Sequence, residues 1–343
     1  MYAVYIKRGM ICELGRMLKK ISHAEKVAVI TDINVNNFYG TKVLNILNSV
    51  GFDAHVIVVE AGERSKTMTT LAQVYTELLK FNITRSDCIL TLGGGVVGDL
   101  GGFAATTFLR GIPYVQVPTS LLSQIDSSIG GKVAVDLPEG KNLIGSFYHP
   151  KAVYIDPNFL DTLDLRFLND GMAEVIKYGC INDDDFFEQL MGFQNKEDLF
   201  SNIEQIILTC LNIKKVVVEQ DELDTGSRMI LNFGHTLGHA IENHFNYIRY
   251  THGEAVAIGM YQITRNSEQM GITQPGTQKR IKEILLKYSL PYEMPQDDAM
   301  QIIKAIAFDK KIRGKNIDIV LLNSIGKCFI KRINREHIPK FFI

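Results

Sequence analysis

The chain has 343 residues, 46% of them hydrophobic, enough apolar material for one large core or two ordinary ones, and its length favours two domains. Its 37 basic and 38 acidic side chains leave a net charge of −1, which excludes the strongly basic field that draws a protein to nucleic acid or to an acidic membrane surface. Five cysteines, Cys12, Cys88, Cys180, Cys210 and Cys328, are odd in number and lack paired spacing, which argues against a disulfide framework and against a cysteine zinc site.

The opening residues, Met1-Tyr-Ala-Val-Tyr-Ile-Lys-Arg8, lack the apolar stretch and small-residue cleavage site of a signal peptide. No run reaches the length of a membrane span, so a cytoplasmic location is expected. Short β-branched runs then alternate with helical stretches: Val27-Ala-Val-Ile-Thr31, Ala54-His-Val-Ile-Val-Val59, Asp87-Cys-Ile-Leu-Thr91 and Tyr114-Val-Gln-Val117. That alternation predicts a parallel, doubly wound α/β sheet of the Rossmann-like kind, with ligands beyond the carboxyl ends of its strands. Leu90-Thr-Leu-Gly-Gly-Gly-Val-Val-Gly-Asp-Leu-Gly-Gly102 joins the third run to a helical stretch. Three consecutive glycines exceed what a tight turn requires, and a helix N-terminus offers free N–H groups to a pyrophosphate. The usual fingerprint after the first strand is missing, because Thr31-Asp-Ile-Asn34 has no glycine turn. Asp32 can take the hydroxyls of the adenosine ribose, and Glu60, Gly62, Glu63 and Lys66 can line the same groove.

After the Tyr114 run come Thr119, Ser120, Asp126, Ser127 and Lys132, then Gly140-Lys-Asn-Leu-Ile-Gly145, with Arg110 just upstream. Lysines on glycine-flanked loops and an arginine fork suit phosphate or carboxylate, so a charged substrate is implied. Past the boundary prolines Pro150 and Pro157 the apolar period becomes helical, in Ile203 to Val218, Met229 to His244, Ala255 to Met270 and Ile281 to Leu286. The expected domains are a nucleotide-binding α/β domain over 1–155 and a mainly α-helical domain over 156–343, with the active site in a cleft between them. A late run, Asn316-Ile-Asp-Ile-Val-Leu-Leu322 followed by Gly326, predicts a small strand or hairpin.

Within the helical half, Met172-Ala-Glu-Val-Ile-Lys-Tyr178 sets Glu174 and Lys177 on one face, among glycines and apolar residues where an exposed ion pair needs no such setting. Arg228-Met-Ile-Leu-Asn-Phe-Gly-His-Thr-Leu-Gly-His239 crowds Arg228, Asn232, His235 and His239 into two or three turns of an expected helix, and His252 opens another. His235 and His239, at i and i+4, can form a ligand pair, or one can bind metal while the other contacts substrate. A carboxylate and imidazoles clustered in this way suit a zinc ion.

Taken together, the segments Gly93 to Gly102, Asp126 to Lys132, Gly140 to Gly145, Ala173 to Gly179 and Asn232 to Glu242 resemble the sugar-phosphate cyclases, and among them the 3-dehydroquinate synthase family, nearly from end to end. The resemblance implies a dehydroquinate synthase-like fold, NAD, one divalent metal (zinc, with cobalt possible) and a homodimer. It makes Glu174, His235 and His252 the metal ligands and leaves His239 to substrate. It places Asp126, Lys132, Asn142, Lys177, Lys214, Arg228 and Asn232 around the substrate, Lys141 beside both substrate and nicotinamide, and Arg110 in the neighbouring subunit's site. Lys132, Asn142, Lys177, Arg228, Asn232 and His239 would then serve the chemistry. For NAD it points to Asp32, Asn34, Glu63, Lys66, Gly94, Gly95, Val96, Val97, Asp99, Thr119, Ser120, Phe159 and Thr162, with Lys132 and Lys141 at the nicotinamide end. A late lysine, Lys311 ahead of Lys310 and Lys315, would bind phosphate. Lys214-Lys215, Ser227 and Ser120 depart from the common pattern without removing a needed functional group.

The implied reaction turns 3-deoxy-D-arabino-heptulosonate 7-phosphate into 3-dehydroquinate plus phosphate by transient oxidation, elimination, reduction and intramolecular aldol closure. A metal-dependent polyol or alcohol dehydrogenase is the rival reading. A neutral polyol would give Lys132, Lys141 and Arg110 no counter-charge.

Overall fold

The computed structural model describes residues 2–221, 226–308 and 316–342. The chain divides into two compact units, Met1–Asp164 and Leu165–Ile343, so the segment 156–164 belongs with the first.

The first unit is built on six parallel strands: β1 (Ala3–Ile6), β2 (Lys26–Asp32), β3 (Asp53–Val59), β4 (Cys88–Gly93), β5 (Tyr114–Pro118) and, after a hairpin, β8 (Ala152–Ile155). Their order in the sheet is β1-β8-β5-β4-β2-β3. Side chains alternate across a strand, so β2 sends Ala28 and Ile30 into one apolar core and Val27 and Val29 into the other. Helices therefore cover both faces, as an all-parallel sheet requires. The four predicted runs all lie in strands. The outermost pair, β1 and β8, share the sequence Ala-Val-Tyr-Ile and match residue for residue, with Tyr5 stacked on Tyr154 at 5.4 Å.

Strand order sets the position of any crevice. β2 is flanked by β3 on one side and β4 on the other, so the winding reverses there and the carboxyl ends of β2 and β4 diverge. Asp32 ends β2, and Gly93 ends β4 just before the helix Gly95–Thr107. The segments at Lys132 and Gly140, expected as loops, instead form an antiparallel hairpin of β6 (Lys132–Leu137) and β7 (Gly140–Phe147). Backbone pairing wins over their glycine and polar content.

The second unit is mainly helical, with a terminal hairpin of β9 (Asn316–Ser324) and β10 (Lys327–Asn334) turning at Gly326, as the late apolar run predicts. Among the described residues no helix is long and apolar enough to cross a membrane. One expectation is corrected: Met229 to His244 is not a single helix. A 3-10 turn, Ser227–Asn232, ends before Gly234, whose φ of +80 breaks the path, and a separate helix runs over His235–His244. Arg228 and Asn232 therefore do not share a helical face with His235 and His239.

Packing explains the break. A Cβ on Gly234 would lie 2.6 Å from Met260 Cγ and 2.7 Å from the Val256 carbonyl oxygen, and one on Gly259 would lie 2.0 Å from the Gly234 carbonyl oxygen. The helix His252–Gln269 thus crosses the start of His235–His244 at backbone contact, with Gly238 against Val256 one turn on. Only glycine permits both the φ and the approach. Gly259→Ala should cost on the order of 1–3 kcal/mol through overpacking, read as a lower denaturation midpoint with the same denaturant slope; an unchanged midpoint would contradict a closed crossing.

Candidate functional site

The crossing delivers two imidazoles to one carboxylate. Glu174 lies in the middle of the helix Leu165–Asn182 and is fully buried. Its Oε1 stands 3.5 Å from His235 Nε2 and 3.6 Å from His252 Nε2, while Lys177, one turn on, pairs with Oε2. His235 Nδ1 is 3.1 Å from the Phe233 carbonyl oxygen and His252 Nδ1 is 3.2 Å from Glu242 Oε2. A proton on each Nδ1 leaves each Nε2 lone pair facing Glu174, the arrangement that metal-ligating histidines adopt when an outer oxygen fixes their tautomer. Burial pushes His235 down to about 3 against the pull of Glu174, so this ring is neutral. Burial also opposes charge on His252, but Glu242 and Glu174 outweigh it and raise this ring well above the usual histidine range. That is the electrostatic signature of a place built for positive charge.

Two groups of side chains can hold a metal ion here: Glu174, His235 and His252, or His239, Glu242 and His252. Glu242 faces the Nδ1 side of His252, where it orients the ring, so the second group needs His252 to abandon that contact. The first group uses the two free Nε2 atoms and a carboxylate oxygen, a three-ligand set that leaves a position for substrate. His239, at the exposed rim, has its ring centre 5.3 Å from that of His235 and 6.0 Å from that of His252. Lys177, Lys214 and Arg228 are all buried in this unit, whereas Asn232 is exposed.

The position of His252 depends on how its helix begins. Thr251 and Glu254 form a reciprocal capping box, and Arg166 grips both oxygens of Glu254 at 2.7 Å each. Asp170 Oδ1, buried, accepts the Gly253 N–H at 2.5 Å, and a Cβ at Gly253 would sit 2.0 Å from the Asp170 carbonyl oxygen. Glu242 and Asp170 escaped the sequence reading. Glu242 carried a signal, being three and seven residues beyond His239 and His235 on one helix face; Asp170 carried none, since its partner is 83 residues away.

In the first unit, Gly94 caps the helix Gly95–Thr107, and added Cβ atoms at Gly94 and Gly95 would lie 3.4 Å from Ser120 Oγ and 3.0 Å from Ser127 Oγ. The glycines leave a cradle of backbone N–H groups and hydroxyls that fits a pyrophosphate. Val96 is half-buried and Val97 fully buried beneath it. Asp32 Oδ1 caps the turn after β2 by accepting from Asn34 N at 2.9 Å and Val35 N at 3.1 Å. Thr119 N donates to the Gly93 carbonyl at 3.0 Å, and Ser120 bonds Ser123.

Lys66 is the centre of this crevice. Its buried Nζ lies 2.6 Å from Asp99 Oδ2, 2.5 Å from Asn142 Oδ1 and 3.6 Å from Glu63 Oε1, and Lys141 Nζ is 3.4 Å from the same Glu63 oxygen. Burial opposes the charge on Lys66, yet Asp99 and Glu63 prevail and raise its pKa. The predicted nucleotide residues Glu63, Lys66 and Asp99 are thus joined to the predicted substrate residues Lys141 and Asn142. Asp126 lies in the turn Ser123–Ser127 and Lys132 opens β6, exposed.

Phe159 is buried in an apolar core, edge-on to Tyr39, and Thr162 Oγ1 is 2.7 Å from the Tyr39 hydroxyl. Arg110 is exposed on a turn where Leu109 and Arg110 both have left-handed backbone, with φ of 51 and 68. Lys311, like Lys310 and Lys315, lies outside the described residues.

The 3-dehydroquinate synthase N-terminal family profile matches residues 56–170, and the 3-dehydroquinate synthase C-terminal profile matches residues 171–312. A 3-dehydroquinate synthase of Clostridium acetobutylicum is 55% identical over 340 residues, covering 99% of this chain and 96% of the relative. The chain belongs to the 3-dehydroquinate synthase family. Other cyclases share the family's fold: a 2-deoxy-scyllo-inosose synthase complexed with carbaglucose-6-phosphate, NAD+ and Co2+ is 25% identical at a TM-score of 0.86, over 98% of this chain and 95% of that one. The 2-epi-5-epi-valiolone synthase of Streptomyces hygroscopicus, with NAD+ and Zn2+ bound, is also 25% identical at a TM-score of 0.87, over 99% and 95% of the two chains.

The His252 cap makes a pH prediction. Burial disfavours the charge on Glu254, but Arg166 and the Thr251 N–H more than offset it and hold the carboxyl below its usual range. A carboxyl lowered in the folded state stabilises fully above its unfolded pKa, about 4.3, and loses that contribution as pH falls through the folded value. Arg166→Met should therefore lower Tm at pH 7, and the gap from the parent should close as pH falls below about 4. A gap that stays constant across that range would show that the pair does not govern the cap.

Proposed function

We propose that the protein converts 3-deoxy-D-arabino-heptulosonate 7-phosphate to 3-dehydroquinate and inorganic phosphate, as a phosphate-eliminating lyase of the shikimate pathway. NAD is consumed and restored within each turnover. The observation that carries this reading is the convergence of two Nε2 atoms on buried Glu174 in a chain 55% identical to a 3-dehydroquinate synthase over 340 residues. The greater identity favours this ring over the inosose and valiolone products of the cyclases at 25% identity.

Glu174, His235 and His252 hold the metal, zinc or cobalt, and the Gly94 cradle with Asp32, Asn34, Glu63, Lys66, Asp99, Thr119, Ser120 and Thr162 takes NAD. When bound, the metal lowers the pKa of substrate hydroxyls and NAD accepts and returns a hydride. The chain's own residues do the rest. Lys132, Lys141, Lys214 and Arg228, with Arg110 from a second copy in a cytoplasmic homodimer, bind the phosphate and carboxylate. Arg228 presents a planar fork suited to two oxygens. Lys177 neutralises the inner oxygen of Glu174, since a lone buried carboxylate would be costly. Asp126, Asn142, Asn232 and His239 orient hydroxyls for oxidation and elimination, where alignment supplies much of the rate.

Enzyme loaded with zinc and a substoichiometric amount of NAD should release many phosphates per NAD from the heptulosonate phosphate without accumulating NADH; NADH rising in step with substrate consumed would instead identify a dehydrogenase. His239→Ala should lower kcat by about 10²–10⁴ while elemental analysis still finds one metal per chain. Loss of the metal from that variant would move His239 into the ligand set.

A further inference from the structure

We propose that Asp136 is a positioning residue for this reaction: facing the bulged segment of β7 in the β6–β7 hairpin, it holds Asn142 in its left-handed conformation and ties it to the Lys66 turn.

The ladder between β6 and β7 pairs Val135 with Ile144 and then Leu137 with Gly140, shifting register around Asp136. Asp136 alone thus faces three residues, Lys141, Asn142 and Leu143, so the extra residues bulge from β7 and Asp136 has no partner in the ladder. Its N–H donates to the Lys66 carbonyl oxygen at 2.8 Å, and it forms a parallel bridge with Thr67. Its Oδ1 accepts the Asn142 N–H at 2.8 Å. Asn142 has φ +54, a region that asparagine tolerates but which carries a backbone cost unless the surroundings hold it. Exposed on β7, Asn142 is held by the Asp136 carboxylate on its N–H and by Lys66 Nζ, at 2.5 Å, on its side-chain oxygen.

The three residues close a ring of contacts. Lys66 gives its carbonyl to Asp136, Asp136 takes the amide of Asn142, and Asn142 takes the ammonium of Lys66. Removing the Asp136 carboxylate leaves the backbone link to Lys66 but opens the ring at the Asn142 amide, so that Asn142 is held by a flexible lysine alone. Oxygen as acceptor, more than charge, is what the geometry uses, so asparagine should replace Asp136 and alanine should not. Buried Lys66 keeps its charge partners Asp99 and Glu63 in either variant.

The consequence for turnover rests on the proposed role of Asn142 in orienting substrate, so two readouts are needed. In kinetics, Asp136→Ala and Asn142→Ala should each lower kcat/KM for the heptulosonate phosphate by about 10- to 100-fold, the scale of a misplaced contact group. The double variant should be no worse than Asn142→Ala alone, and Asp136→Asn should recover most of the activity. A merely structural loss would multiply with the Asn142 substitution, so additive effects overturn the proposal. In hydrogen exchange, the Asn142 amide should exchange at least about tenfold faster in Asp136→Ala than in the parent and return to the parent rate in Asp136→Asn. Unchanged exchange overturns it as well. Should the alanine variant fold poorly, Asp136→Ser, whose hydroxyl is too short to span the contact, repeats both measurements. A parent that released no phosphate would sink the reaction assigned above, while the exchange rates would still decide whether Asp136 tethers Asn142.

Discussion

The close crossing of two helices through glycine is the constraint on which the second unit depends. Because Gly259 brings its helix against the Gly234 carbonyl, and Gly238 lies beside Val256 one turn later, His235 and His252 reach the same carboxylate from different helices. Any larger side chain at the crossing would separate the helices by more than the spacing a metal tolerates, since ligand bonds of about 2.0–2.2 Å allow little slack. The same contact explains why Gly234 ends the preceding turn with positive φ. Packing, local conformation and chemistry are decided by one steric fact.

Charge follows from that geometry. A carboxylate buried in mid-helix is costly unless cations face it, and here Lys177 and the His252 ring do, with the neutral His235 ring beside them. Glu242 and the Phe233 carbonyl then set which nitrogen of each ring faces inward. The first unit solves a similar problem differently. Lys66 is buried among Asp99, Glu63 and Asn142, so its ammonium is kept charged and fixed in direction, and the hairpin that carries Asn142 is anchored to it.

Much of this was legible in the sequence, and the rest was hidden for identifiable reasons. The four β-branched runs marked β2, β4 and β5, which are buried and apolar on both faces, and β3 at the edge of the sheet. The twin Ala-Val-Tyr-Ile segments of β1 and β8 were too short to stand out, and only their pairing gives them meaning. The β6–β7 hairpin looked like loops because glycine is a turn residue, whereas Gly145 here lets the strands approach, a Cβ there lying 2.5 Å from the Val133 carbonyl oxygen. Periodicity runs straight through Gly234, so the helix break there was invisible without its partner Gly259. Glu174, His235 and His252 came from family resemblance, with spacing alone leaving His239 as an equal candidate; the structure adds that Nε2 of both His235 and His252 faces Glu174. Asp136, through its N–H to the Lys66 carbonyl, and Asp170, on the Gly253 N–H, act through contacts distant in sequence, and no local pattern marks either.

The account turns on which side chains hold the metal, and diffraction from zinc-loaded crystals at the zinc absorption edge tests it most directly. The account predicts a single anomalous peak within about 2.0–2.2 Å of a Glu174 oxygen and the Nε2 atoms of His235 and His252, with Glu242 still on His252 Nδ1. A peak ligated by His239 and Glu242, with His235 left outside the coordination sphere, would contradict it.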